Sequence, residues 1–173
     1  MKRMILLLAA LLLLTALGCG SNAKDDPNAV FIDPNAVRGG AYGELYFETE
    51  GVRFGIYDEA EPVLRALPEQ TGSHTSESCA FEHADVSHIY PPFEITTNEI
   101  DGVDRVTGIR LTADMVKTPQ GLFIGMPEAD AAAAFPALAN AGWNLIDGTA
   151  LLSVTVVDGR IAEIAYLPAT EEN

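Results

Sequence analysis

The sequence predicts an α+β fold built from two tandem strand–helix–antiparallel-meander repeats that follow a signal peptide and a flexible tether. Three observations predict it. Short strand-like runs are separated by Glu50-Gly51, Asp101-Gly102, Asp147-Gly148 and Asp158-Gly159, dipeptides that suit tight hairpin turns. Two stretches, one after Asp58 and one from Glu128, carry helical rather than strand patterning. Finally, Gly51-Val52-Arg53-Phe54-Gly55-Ile56 returns as Gly121-Leu122-Phe123-Ile124-Gly125-Met126, a step of 70 residues.

Residues 1–18 read as an export signal. Lys2 and Arg3 precede an apolar run from Met4 to Leu17 broken only by Thr15, and Ala16-Leu17-Gly18-Cys19 closes it. The run has about 14 residues, short of the roughly 20 that span a bilayer. A small residue followed by Cys19 resembles the lipobox of bacterial lipoproteins, with Ala16 where the strongest lipoboxes carry leucine. The resemblance implies that Cys19 is lipidated and becomes the first mature residue. Residues 19–43 then form the lipidated cysteine and tether, polar and glycine-rich, with a doubled Asp-Pro-Asn-Ala-Val at Asp26 and Asp33 that favours turns.

Repeat 1 is placed at 44–113. Glu44–Glu48 is a strand candidate, and Glu50-Gly51 turns into Val52–Phe54. Asp58 is placed as an N-cap, with Glu59 and Glu61 where the helix dipole favours acids, Val63, Leu64 and Leu67 on the buried side, and Pro68 as the stop. Strands follow at Cys79–His83, His88–Tyr90, Phe93–Thr97 and Arg105–Thr112, with a serine-rich loop before them. Repeat 2, at 114–168, has a helix from Glu128 to Leu138 and strands at Trp143–Ile146, Leu151–Val157 and Ile161–Leu167. Its last hairpin matches that of repeat 1, Arg160-Ile161 corresponding to Arg105-Val106, with Val103 and Asp104 as two extra residues in the first copy. Residues 169–173 are an acidic tail. Each copy alone is too small to bury much, so the two sheets are expected to join edge to edge or pack face to face.

The unit with Gly-Met before a helix and Asp-Gly-Arg-Ile before the last strand resembles the beta-lactamase-inhibitor-protein-like fold, a tandem of such repeats. It is also similar to the BamE/SmpA outer-membrane assembly lipoproteins, which carry one copy. Through Glu77–Glu82, Phe93-Glu94-Ile95 and Asp101-Gly102 the chain further resembles a broad set of uncharacterised Firmicutes lipoproteins. These motifs are structural in kind. The resemblance implies a fold and an extracytoplasmic compartment, and it carries no activity.

Composition narrows the partners. Removing 18 residues from 173 leaves 155, with 8 Lys+Arg against 25 Asp+Glu and a net charge near −17. Such a surface repels phosphates, which argues against nucleic acid as a partner. With Cys19 lipidated, Cys79 has no partner in its own chain, so no disulfide framework is expected.

Three kinds of site come into question. His74, Cys79, His83 and His88 lie in one short segment with Glu77, Glu82 and Asp85, and imidazole and thiolate are zinc ligands. If Cys79–His83 were a strand, Cys79 and His83 would share a face. The alternative is a buried Cys79 acting as a small apolar residue beside solvated histidines. No nucleophile elbow surrounds Cys79 or the nearby serines, the glycines at 39–43 precede no Lys-Ser/Thr, and Asp101, Asp104 and Asp147 fit hairpin turns better than a calcium loop. Tyr57, Tyr90, Trp143 and Tyr166 are candidates for an interaction surface, or else half-buried strand residues. The expectation is therefore a non-catalytic lipoprotein, anchored through Cys19 and facing the extracytoplasmic side, that binds or scaffolds an envelope protein or a ligand. A zinc-binding lipoprotein and an inhibitor of an extracellular enzyme are the alternatives.

Overall fold

Seven antiparallel strands form one sheet. The structure, a computed structural model, describes residues 45–169. The export signal, Cys19, the tether and the tail beyond residue 169 lie outside the described residues. Among the described residues no helix is long and apolar enough to cross a membrane.

The chain enters as a small hairpin, β1 (Phe47–Thr49) and β2 (Val52–Phe54), followed by α1 (Ala60–Ala66). Strands β3 (Gly72–Ser76), β4 (Asp85–Tyr90), β5 (Phe93–Ile100) and β6 (Val103–Leu111) make a meander. Helices α2 (Glu128–Ala134) and α3 (Pro136–Asn140) lead to β7 (Asn144–Asp147), β8 (Ala150–Val157) and β9 (Arg160–Pro168). The fold is thus mixed helix and strand with a mostly antiparallel sheet, and its two meanders join edge to edge through β6 and β9.

Turn chemistry explains the hairpins. Glu50-Gly51, Asp101-Gly102 and Asp158-Gly159 all have positive φ at both residues, the geometry whose twist matches paired strands. The remaining turn falls one residue later than expected, at Gly148-Thr149, because Asp147 pairs with Ala150. One face of the sheet is buried beneath the helices and the β1–β2 hairpin. Phe47 packs edge-on to Phe54 and Phe93, with ring centroids 5.6 and 5.3 Å apart, and Val63, Leu122, Ala131 and Leu138 come down from the opposite layer. The other face carries rows such as Ile89–Glu94–Arg110–Ala165–Ser153–Asn144, with Arg110 donating to Glu94 at 2.6 Å.

The two halves meet the sheet through the same contacts. Tyr57 N–H donates to Val106 O and Gly125 N–H to Ile161 O, each at 2.7 Å, while Val106 and Ile161 N–H return to Asp58 O and Met126 O. The Arg105 guanidinium donates to Tyr57 O and that of Arg160 to Gly125 O. The bulged residues, Thr107 on β6 and Ala162 on β9, follow these positions by the same single step. Arg105-Val106 and Arg160-Ile161 thus make matching contacts, but the helix-entry match shifts. Tyr57, not Gly55, stands where Gly125 stands, a step of 68 residues (57 to 125) rather than 70, and both have positive φ.

Several local expectations are corrected. Cys79–His83 is a run of bends, because the chain there crosses from β3 to β4 rather than pairing. The serine-rich loop is instead partly strand, β3, whose polar residues suit a solvated edge. Asp58 is not the N-cap: Glu59 occupies that place, and the fully buried Asp58 carboxylate accepts from Gly55 N–H at 2.8 Å. The second helix breaks at Phe135, since Pro136 cannot donate to the preceding turn and begins α3 instead.

Candidate functional site

Between α1 and the buried face of the first meander lies a groove of about 590 Å³. Its floor follows from strand alternation: Val86, His88 and Tyr90 of β4 point the same way, beside Thr97 of β5 and Asp104 of β6. Its wall is the side of α1 that carries Ala60 and Leu64, continued by Leu67 and Pro68. After Pro68 ends the helix, Thr71 ties the chain to β4 by donating from its N–H to Ile89 O at 2.8 Å and from its hydroxyl to the same oxygen at 3.1 Å. That tether carries Gln70 over His88.

His88 is the polar centre. Its Nδ1 lies 2.8 Å from Gln70 Oε1 and its Nε2 lies 3.1 Å from Thr97 Oγ1. With the Gln70 carbonyl oxygen facing it, Nδ1 donates, and Nε2 shares a hydrogen bond with the Thr97 hydroxyl, which also reaches Val86 O at 3.5 Å. Burial pushes the imidazole below its usual range, opposed by the nearby Asp104 carboxylate. The ring is thus oriented by a hydrogen bond at each nitrogen. The rim is charged: Glu61 pairs with Arg65 one turn along α1, and Glu69 and Asp104 add two more acids.

The corresponding place in the second half is filled. Through the β8–β9 register, Val154 stands where Ile95 stands, and Val154 N–H bonds to Trp143 O, which puts Trp143 where His88 is. Val156 likewise replaces Thr97. Trp143 and Val156 pack against the core, and α3, with Leu138 fully buried, follows α2 in the chain where extended chain follows α1.

The residues singled out from sequence do not meet. His74 lies on β3 and pairs with Ser87, one position out of phase with His88, so the two imidazoles face opposite sides of the sheet. Cys79 is an exposed free thiol in the bend run, which removes the picture of a buried cysteine. His83 stands 3.7 Å from Glu99. Among the described residues no three His, Cys, Asp or Glu side chains could hold a metal ion together. Tyr166 lies in the core, where burial pushes its hydroxyl up, and Tyr90, stacked on Phe93 at 4.8 Å, is buried apart from the edge it shows to the groove. Tyr57 and Trp143 are half-buried against the same core.

Gln70, Thr97, Asp104 and Arg65 line the groove without having been singled out as site residues. Only Asp104 carried a signal, as one of two extra residues in the first hairpin. Those two residues lengthen β5 and β6 so that Glu99 pairs Asp104, where the second hairpin turns directly into Arg160. No protein-family model, curated protein or solved structure matches this chain.

Proposed function

We propose that the chain is a non-catalytic binding or scaffolding module, held on the extracytoplasmic side of a bacterial membrane by lipidated Cys19, and that it takes its partner in the groove beneath α1. The groove carries this reading: apolar walls surround one oriented imidazole, an arrangement that suits recognition. The acidic composition supports a protein or ligand rather than nucleic acid as partner.

The same reading includes an internal duplication. Its support is the matched set of backbone and arginine hydrogen bonds at Tyr57 and Gly125, together with the shared bulge position. At the junction Arg110 pairs with Ala165, and these two correspond under the step of 55 residues that relates Arg105 to Arg160. Corresponding residues that pair with each other mark a two-fold relation between the halves.

The test has two parts. Cys19→Ser should move the protein from the membrane to the soluble fraction of an expressing bacterium, and a protein that stayed membrane-bound would refute the anchor. A photo-crosslinking residue at Leu64 should give a discrete adduct in intact cells that the same probe at Glu163 does not. Identical adduct patterns from both positions would remove the groove as the binding site.

A further inference from the structure

Resting on the groove as the binding site, we infer that its occupant is a short extended peptide segment in which an apolar anchor is flanked by lysine or arginine. The groove follows α1 from Ala60 and continues to Gln70. The seven helical residues span roughly 10 Å at 1.5 Å each, which matches about three extended residues at 3.3 Å. Ala60, Leu64, Leu67, Val86 and Tyr90 supply the apolar contact an anchor side chain needs. Arg65 is already engaged by Glu61, which leaves the rim charge to Glu69 and Asp104. A cation beside the anchor therefore meets a rim carboxylate, whereas an anionic headgroup or an acidic peptide meets like charge in a chain that already carries −15. The comparison with the second half sharpens the assignment. There the place of His88 is taken by Trp143 and the hairpin lacks the extension that carries Asp104, so the imidazole and the acid at this place belong to the first half.

The probes are three dye-labelled hexapeptides: alternating leucine and lysine, leucine and serine, and leucine and glutamate. Each is titrated by fluorescence anisotropy into the full chain held in phosphatidylcholine nanodiscs, with empty nanodiscs subtracted. The expected result is saturable binding of the leucine–lysine peptide at least about tenfold tighter than the leucine–serine peptide, with none for the leucine–glutamate peptide. Glu69→Gln with Asp104→Asn, both exposed, should weaken the cationic peptide by about tenfold, while Glu128→Gln with Glu163→Gln, also exposed, should leave it unchanged. Equal weakening by the two double variants would mean diffuse attraction to an acidic surface and would overturn the inference. Equal binding of the serine and lysine peptides, both weakened by Leu64→Asp, would overturn the cationic assignment while leaving the groove standing. If no peptide binds, the inference falls. Should a Leu64 adduct still form in cells, the groove itself survives.

Discussion

The two halves of the molecule solve one packing problem with different side chains. Each brings a turn with positive φ onto the last strand of a meander, follows it with a helix, and holds the turn by an arginine bonded to the carbonyl at that positive-φ residue. In the second half the space beyond the helix is filled by α3, Leu138 and Trp143. In the first half the chain runs extended after Pro68, and a groove with His88 at its floor is left in the equivalent place. The turns differ too. A buried carboxylate, Asp58, braces the first, where Met126 occupies the matching position in the second. The second half is therefore closed over its core, whereas the first leaves a polar centre accessible in a groove.

That contrast should be visible in stability. Leu138→Ala removes a fully buried side chain from the filled half and should cost about 3 kcal/mol. Leu64→Ala, on the groove wall, should cost under about 1 kcal/mol, because its side chain is already partly in water. Chemical denaturation of the two variants measures the difference, and equal costs would erase the distinction between filled and open halves.

The braced turn comes next. Asp58→Ala leaves the buried Gly55 N–H without its charged acceptor and should cost about 2 kcal/mol. Met126→Ala at the matching position breaks no such bond, so a larger loss there would contradict the assignment of Asp58 as the brace. A smaller effect is expected at the positive-φ residues. Gly125→Ala should cost about 1 kcal/mol even though nothing lies within 4 Å of the added Cβ, since the penalty is in the backbone. Tyr57→Gly relieves the same strain while losing side-chain contact, and its thermal midpoint should move less than that of Gly125→Ala.

The weakest effect is the pH dependence of the groove. The folded-state pKa of His88 lies below its ordinary value of 6.5, so below pH 6.5 the unfolded chain takes up the proton first. Stability should therefore fall as the pH drops through 6.5, and this contribution should level off below the folded-state pKa. His88→Gln should flatten that window and no other. Glu94 titrates separately: partial burial raises its pKa, but hydrogen bonds from Ser87 and Arg110 and the charges of Arg110 and His74 outweigh this and lower it. Its stabilisation is present above the ordinary carboxylate pKa and is lost as the pH falls through the lowered value. Denaturation midpoints of the parent and the His88→Gln variant across pH 3–8 separate the two groups, and an unchanged pH profile in the variant would remove His88 as the source.

The hairpins were legible from residues alone because their cause is local. Asp101-Gly102 and Asp158-Gly159 adopt positive φ at both positions wherever two strands are close in sequence. The same holds for Pro68, which ends α1. Strand β3 was not legible, since Gly72–Ser76 has no apolar alternation and gains its strand form only by pairing with β4. Nor was the shift at Tyr57. A glycine match suggested Gly55, but the backbone strain that marks the equivalent position falls on a tyrosine.

The mixed helix–strand class and the turns at Glu50-Gly51, Asp101-Gly102 and Asp158-Gly159 were determined by sequence, since each depends on neighbours a few residues away. The groove was decided by tertiary structure. Gln70, His88, Thr97 and Asp104 meet only because β4, β5 and β6 pair in one register and Thr71 anchors the chain to Ile89. Pairing by one residue more or less would turn His88 to the other face, and that choice is made by the whole buried core rather than by any stretch of the chain.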